Sequence, residues 1–235
     1  MLRIEDYSAS DSSFEFTEDC EEIQGHVERH IGPVEMLCYE QDPDTVRVDI
    51  LIVPATSDRN FHYLVTSGMS SLPMLADPQN TEVECWHFSE LVMALPGDWP
   101  LFDAKKMQND RWNFPIRHLN FLSRMPHKYD TWLSVGHSIP NFESKKRITS
   151  DCEVDGFIID HPVLGGENFR NYVTREGKNI HFCGLYPVYS NEMQYKLRKG
   201  FSALSEIFRK NNLTEIFYPE RPCFVRNSIM NWLLG

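Results

Sequence analysis

The sequence predicts an α+β fold, in which a mixed, mostly antiparallel β-sheet is flanked by α-helices in a single domain. Short runs rich in β-branched and aromatic residues are bounded by turn residues, which is typical of strands. The connections between the first runs are short, and this favours antiparallel pairing. Stretches near residues 20 and 200 instead carry apolar residues at helical spacing. A length of 235 residues, with 41% hydrophobic and 24% charged residues, suits one globular core.

The N-terminal part of the chain divides at Thr17. Residues 1–16 are polar and rich in serine, so they are predicted to form a loosely ordered arm, and residues 17–235 the folded domain. A helix is predicted to begin after Thr17, because acidic residues follow it and stabilise a helix N-terminus. Its apolar stripe comprises Ile23, Val27 and Ile31. The Gly-Pro pair at 32–33 then ends the helix.

Strands and helices follow in turn along the rest of the chain. Four strands joined by short turns are predicted at residues 34–40, 46–54, 61–67 and 82–88. Helices are then predicted at 89–100 and 109–124, and further strands at 131–139, 156–163 and 180–189. The last helix is predicted at 191–212. Gly200 inside it costs about 1 kcal/mol relative to alanine, which predicts close packing at that position.

The stretch "FHYLVTSGMSSLPM", residues 61–74, is too apolar for an ordinary surface loop and too irregular for a helix. One interpretation is that Met69, Leu72 and Met74 fill the end of the sheet. The other is that flexible methionine side chains at a sheet edge accept a segment of a partner protein. His62 and Tyr63 would then point to opposite faces, one packing and one contacting the partner.

The charge of the chain favours some partners over others. Lys and Arg number 23 against 34 Asp and Glu, a net charge of −11. Nucleic acid is therefore not expected as a partner, whereas opposite charge favours a basic protein. The sequence contains neither a membrane-spanning apolar run nor a signal-peptide pattern, so we expect a cytoplasmic protein without membrane contact.

No catalytic motif, metal site or cofactor is predicted. The six cysteines are widely spaced, which favours reduced, structural thiols. "GHSIP" at 136–140 lacks the final glycine of a nucleophile elbow. His26 and His30 lie one helical turn apart without an evident third ligand, so a solvated helix face is expected there. The alternatives are an enzyme of unrecognised type in which His62, His137 and Glu192 converge in a cleft, and a dimeric scaffold.

Several stretches, in order, resemble the suppressor of fused family, and especially its shorter bacterial members. They are "VRVDILIVP", "FHYLVTSGMSSLPM", "SELVMALPGDWP", "TWLSVGHSIPN" and "GLYPVYSNEM" followed by "GFSALSEIF", and they cover roughly residues 20 to 210. The resemblance implies an α+β, non-catalytic protein-binding module. Animal members hold a transcription factor by taking up an extended peptide as an extra strand, whereas bacterial members look like immunity proteins that neutralise a cognate toxin.

The resemblance and the apolar corner together suggest which residues contact a protein partner, which could be a basic toxin domain. These residues are predicted to be His62, Tyr63, Thr66, Met69, Ser70, Trp132, His137, Asn141 and Glu192. In animal members an aspartate follows the glycine that resembles Gly136, and His137 stands there in this chain. The sequence predicts no oligomeric state.

Overall fold

A computed structural model describes residues 2–6, 18–40, 46–75, 86–141 and 153–225. The strands in these ranges are β1 Leu2–Asp6, β2 Met36–Glu40, β3 Asp49–Val53, β4 Phe61–Ser67, β5 Ser89–Pro96, β6 Ser138–Pro140, β7 Val154–Asp160, β8 Asn171–Val173 and β9 Asn179–Tyr189. The helices are α1 Glu18–His30, α2 Asp110–Lys128, α3 Ser190–Lys199 and α4 Phe201–Lys210. Within the described ranges, no helix is both long and apolar enough to cross a membrane.

The strands form one sheet in the order β1-β2-β3-β4-β5-β9-β7-β6, and β8 pairs with the beginning of β9. All neighbouring strands run antiparallel except β5 and β9, which are parallel. The predicted fold class, a mixed and mostly antiparallel sheet with flanking helices, is therefore confirmed. Residues Leu2–Asp6 of the segment predicted as an arm pair with β2.

Each face of the sheet is covered by a different helix. On one face, α2 contributes Phe114, Leu119 and Leu122 to a cluster that contains Ile50, Ile52 and Leu64. On the other face, α1 contributes Ile23 and Val27 to a cluster that contains Leu51, Val53, Tyr63 and Val65. A smaller cluster joins α4 to β7 and β9 through Ile158, Val188, Leu204 and Phe208. Strands buried on both faces are apolar throughout, as the sequence of β3 is.

The helix predicted at 89–100 is wrong, because residues Ser89–Pro96 form strand β5 in the middle of the sheet. Leu91, Met93 and Leu95 pack into one cluster, and Val92 and Ala94 into the other. A strand with two buried faces has no polar alternation, so its sequence cannot be told from a buried helix by periodicity. The strand predicted at 82–88 lies mostly outside the described residues, and positions 86–88 are not in a strand.

Two other predicted elements change their bounds. The helix predicted at 191–212 is split into α3 and α4 by Gly200, whose φ angle is +88°. A Cβ atom at this position would meet no atom within 4 Å, so the glycine serves the backbone turn and not the predicted close packing. The strand predicted at 131–139 is mostly turn, with Gly136 at φ +90°, and only Ser138–Pro140 pair as β6.

The corner after β4 depends on Gly68. Its φ angle of +116° lies in the left-handed region, and a Cβ atom there would come within 2.4 Å of the Arg47 carbonyl oxygen. A short helical turn over Met69–Ser71 follows. The side chains of Met69 and Met74 are buried in the core on the α2 face of the sheet. These two methionines therefore fill the end of the sheet, as the first interpretation of this stretch proposed, but Leu72, which that interpretation included, is 50% exposed.

The carboxylate of Glu90, which is fully buried, holds this corner in place. Its Oε1 atom accepts hydrogen bonds from the Gly68 amide at 3.0 Å, the Ser70 amide at 3.0 Å and the Ser70 hydroxyl at 2.7 Å. Its Oε2 atom accepts one from the Thr66 hydroxyl at 2.6 Å. Thr66 Oγ1 in turn accepts from the Leu91 amide at 2.8 Å. Burial raises the pKa of Glu90 to about 7, although these hydrogen bonds favour the ionised form and oppose the rise.

Replacing Gly68 with alanine should destabilise the protein by about 3 kcal/mol, because the new methyl group would force the backbone out of its left-handed conformation and against the Arg47 carbonyl. Gly25→Ala in helix α1 is the matched control. A Cβ atom there meets nothing within 4 Å, so this variant should gain up to about 1 kcal/mol. Urea unfolding of both variants measures the two changes. Equal effects of the same sign would contradict the role of Gly68.

The stability that Glu90 contributes should fall as the pH rises from about 4.5 to about 7. The pKa is higher in the folded than in the unfolded chain, so the folded state binds the proton more tightly, and this advantage disappears once both states are ionised. Urea unfolding of the natural protein and of Glu90→Gln at several pH values measures the effect. Relative to the Glu90→Gln variant, the natural protein should lose about 3 kcal/mol of unfolding free energy as the pH rises across this window. A pH-independent difference would contradict the burial of an ionisable group there.

Candidate functional site

The nine residues predicted to contact a partner fall into two groups in the structure. Those with buried side chains are His62, Tyr63, Thr66, Met69, Ser70 and Glu192. Those with partly exposed side chains are Trp132, His137 and Asn141. In this conformation the buried group is outside any exposed contact surface, and the hydrogen bonds described below explain why these polar residues lie in the interior.

His62 holds together the ends of two strands. Its Nδ1 atom accepts a hydrogen bond from the Ala55 amide at 3.0 Å, and Nε2, which then carries the proton, donates to the Gly97 carbonyl at 3.2 Å. Burial lowers the pKa of His62, so the neutral ring is favoured. Both ring nitrogens are thus used inside the protein.

Tyr63, the next residue along β4, reaches the opposite face and contacts a second buried carboxylate. Its hydroxyl donates to Glu215 Oε1 at 2.8 Å. Glu215 also accepts from the Leu164 amide at 3.0 Å and from the Tyr186 hydroxyl at 3.4 Å. Burial and the negative charge of Glu215 raise the pKa of Tyr63 well above its usual value. The alternation of His62 and Tyr63 was expected, but both side chains pack inside.

Glu192 forms a buried ion pair with Arg221 near the C-terminal end of the described chain. Arg221 donates to the two carboxylate oxygens at 2.9 and 2.5 Å. The same carboxylate accepts from the amides of Tyr189 and Phe224, at 3.0 and 2.9 Å. A buried carboxylate is tolerated when its charge is paired and its oxygens are hydrogen-bonded, as here. Glu192 therefore ties the segment around Arg221 to the start of α3.

Trp132 and His137 line an open cleft of about 420 Å³ beside β6, which we call the edge cleft. Its other lining residues are Met125, Thr131, Leu133, Ser138, Ile139, Pro140 and Lys196. The rings of Trp132 and His137 lie 5.7 Å apart, centre to centre. Asn141 directly follows strand β6. Its backbone N–H donates a hydrogen bond to the Asp155 carbonyl oxygen at 2.9 Å. The structure thus brings Trp132 and His137 together in the cleft, while Asn141 follows the end of β6 outside its lining.

The corner at 68–74 lies directly beneath the edge cleft. The Leu133 amide donates to the sulfur of Met74 at 3.4 Å, and the ring Nε2 of His127 lies 2.9 Å from the Met69 carbonyl oxygen. The two stretches that the sequence singled out are therefore neighbours. The contacts between them are made by the buried residues Met69 and Met74, whereas Leu72 at the tip of the corner is 50% exposed.

The edge cleft lies beside the last strand of the sheet in the described part of the chain. Strand β6 pairs with β7 on one side, and among the described residues no strand pairs with its other side. Lys196 reaches the cleft from α3 and donates to the Ser138 hydroxyl at 3.3 Å. Burial, and secondarily the charge of Lys196, lowers the pKa of His137. The cleft therefore carries a local positive charge on a chain whose net charge is −11.

The His/Glu cleft of the alternative enzyme hypothesis is not formed. His62 contacts Ala55 and Gly97, and Glu192 is bound to Arg221. His137 lines the edge cleft, so the three side chains belong to separate sets of contacts. The described ranges also contain no group of three or more His, Cys, Asp or Glu side chains that could hold a metal ion.

The solvated helix face expected for His26 is wrong. The side chain is buried, and its ring stacks on Phe169 and Phe182 at centroid distances of 5.4 and 5.1 Å. Burial lowers the pKa of His26 to about 4, so the ring is neutral. The neutral ring packs among aromatic rings with Nε2 3.1 Å from the Phe169 carbonyl oxygen, whereas the buried Nδ1 atom has no hydrogen-bond partner among the described residues.

Three residues that organise this architecture were missed at the sequence level: Glu90, Glu215 and Arg221. Glu90 offers a signal, because it stands within the otherwise apolar stretch "SELVMAL". A charged residue in such a run must be paired or hydrogen-bonded when buried. Glu215 and Arg221 lie in loops of ordinary polarity. Loops have no hydrophobic periodicity, so the sequence does not indicate that these two side chains are buried.

Comparison with known proteins identifies the family. The sequence model of the suppressor of fused protein matches residues 44–222. A crystal structure from Neisseria gonorrhoeae FA 1090, described as a suppressor of fused homolog, aligns with a TM-score of 0.65 and 12% identity, covering 89% of this chain and 98% of the other. No curated protein matches the sequence.

Two further structures share the fold. A chain of the Sufu-Fu complex aligns with a TM-score of 0.60 and 14% identity over 88% of this chain and 92% of the other. Drosophila Suppressor of Fused aligns with a TM-score of 0.56 and 14% sequence identity. The alignment covers 86% of this chain but only 50% of the Drosophila chain. At these identities the structural likeness shows the fold, and the family model, which covers most of the chain, shows the family. This protein belongs to the suppressor of fused family.

Proposed function

We propose that this protein is a non-catalytic protein-binding module of the cytoplasm, and that it acts as an immunity protein which binds and neutralises a cognate basic toxin domain. The observation that carries the proposal is the edge cleft, in which Trp132 and His137 lie beside strand β6, at an edge that no strand among the described residues covers. One structure with this fold is that of a Sufu-Fu complex, in which the relative is bound to another protein.

A free strand edge offers backbone groups that an extended segment of another protein can pair with. Within the described ranges, β6 is such an edge strand, and the aromatic ring of Trp132 and the partly buried ring of His137 provide contacts for side chains of the added strand. Aromatic residues in partly buried positions are the usual centres of binding energy in protein interfaces. Main-chain pairing supplies affinity here, and the cleft supplies selectivity.

The net charge of −11 supports a basic partner. An acidic surface accelerates encounter with a positively charged protein and disfavours acidic competitors. The edge cleft differs from the acidic remainder of the protein because Lys196 gives it a positive charge. The partner segment that enters the cleft is therefore expected to be neutral or acidic, while the rest of the partner is basic. Steering and docking would then be performed by different parts of the surface.

Co-expression with the product of the adjacent gene tests the proposal. We expect that product to inhibit growth alone, growth to be restored when this protein is present, and the two purified proteins to form a complex. Trp132→Ala should weaken the complex at least about tenfold, because the ring is the central contact of the cleft. The matched control is Tyr129→Ala, an exposed aromatic outside the cleft, which should have little effect.

Absence of a complex with that product would contradict the immunity function. Equal weakening by Trp132→Ala and Tyr129→Ala would instead contradict the edge cleft as the binding surface. Calorimetry at low and high salt provides an independent measurement, because screening should reduce the affinity of an acidic protein for a basic one.

A further inference from the structure

We infer that a second cleft, on a different part of the surface, binds an arginine side chain of the protein partner. This aromatic cleft has a volume of about 550 Å³ and is lined by Asp98, Trp99, Arg111, Trp112, Tyr218 and Glu220, among other residues. It lies between the connection from β5 to α2, the first turn of α2 and the segment that follows Ile216. The identity of the partner rests on the proposed function, whereas the arginine site itself is argued from the cleft alone.

The aromatic walls of this cleft are held rigidly. The rings of Trp99 and Trp112 pack edge to face, with centroids 5.0 Å apart and an interplanar angle of 82°. Trp99 Nε1 donates to the Trp112 carbonyl oxygen at 3.1 Å, and the Trp99 ring also packs edge to face on Phe217. Tyr218 adds an aromatic ring that is 46% exposed. Fixed ring faces of this kind attract cations through their π electrons.

The chain itself shows that a guanidinium group fits this environment. The Cζ atom of Arg111 lies 5.0 Å from the ring centre of Trp112, within the range of a cation–π contact. Arg111 is an exposed residue of the cleft lining, so its guanidinium already covers part of the Trp112 ring. Trp99 is only 6% exposed, so a second guanidinium would stack mainly on Tyr218, which is 46% exposed.

The charges around the cleft favour a cation. Asp98 and Glu220 are exposed carboxylates in its lining. Arg221 also lines it, but its guanidinium is paired with the buried carboxylate of Glu192 at 2.9 and 2.5 Å. Because Arg221 is neutralised from inside, Asp98 and Glu220 outweigh the single charge of Arg111.

Arginine suits this combination better than lysine does. The planar guanidinium stacks on aromatic rings, is weakly hydrated and binds carboxylates through two parallel hydrogen bonds. Lysine carries a compact and strongly hydrated ammonium, which would lose more hydration on entering an aromatic cleft. A purely apolar side chain would make no use of the negative charge that Asp98 and Glu220 add to the cleft.

Titration of the full chain with the peptide acetyl-Gly-Arg-Gly-amide tests the inference. Nuclear magnetic resonance signals of the indole N–H groups report binding, with those of Trp99 and Trp112 assigned by substitution to phenylalanine. We expect saturable shifts of these two signals, with a dissociation constant in the low millimolar range for so small a ligand. The same peptide with citrulline, a neutral isostere of arginine, should bind at least about tenfold more weakly, and the lysine peptide should be intermediate.

Variants separate the cleft from general charge effects. Asp98→Asn combined with Glu220→Gln should weaken the arginine peptide at least about tenfold. Glu35→Gln combined with Glu176→Gln removes the same charge from exposed positions outside the cleft and should leave binding unchanged. Equal binding of the citrulline peptide, equal effects of the two double variants, or shifts confined to Trp132 would overturn the inference.

The outcome is separable from that of the proposed function. If the arginine peptide fails to bind while the adjacent gene product still forms a complex, the arginine site alone is overturned. If the peptide binds as expected and no complex forms, the site stands and the immunity function is overturned.

Discussion

The buried carboxylate of Glu90 fixes how the chain leaves the sheet after strand β4, and much of the neighbouring structure depends on that exit. Four donors from the corner converge on it, so the corner keeps one conformation. The corner in turn places Met74 under the Leu133 amide and Met69 beside His127. The floor of the edge cleft thus depends on a carboxyl group that lies in the core and never reaches the surface.

The same principle recurs at two other buried carboxylates, and each is compensated in a different way. Glu90 is held by amides and hydroxyls, Glu215 by amides and the hydroxyls of Tyr63 and Tyr186, and Glu192 by a guanidinium. Burying a charge is costly, and apolar replacements would often be as stable. These carboxylates instead favour one arrangement of the fold. Each accepts hydrogen bonds from segments that are distant in sequence, and other packings of the same apolar surfaces would break those bonds.

The sequence predicted the fold class and showed the family resemblance. It also predicted the amphipathic helices, because a helix with one polar and one apolar face has a clear hydrophobic period. It misassigned β5, because burial on both faces erases that period. For a related reason, the sequence could not show that six of the nine residues predicted to contact a partner are buried. A polar residue such as Thr66 or Tyr63 has the same sequence pattern whether it faces a partner or a buried acceptor. Their acceptors, Glu90 and Glu215, lie 24 and 152 positions away, beyond any local pattern.

The parallel pairing of β5 with β9 affects how the chain folds during synthesis. It joins Ser89 to His181, so β5 leaves the ribosome long before the strand that completes its hydrogen bonds. Until then, one of the most apolar segments of the protein has an unsatisfied backbone edge, the kind of surface through which partly folded chains aggregate. Closure across so many residues is also entropically slow. The central seam of the finished sheet is therefore the most vulnerable point of the nascent polypeptide.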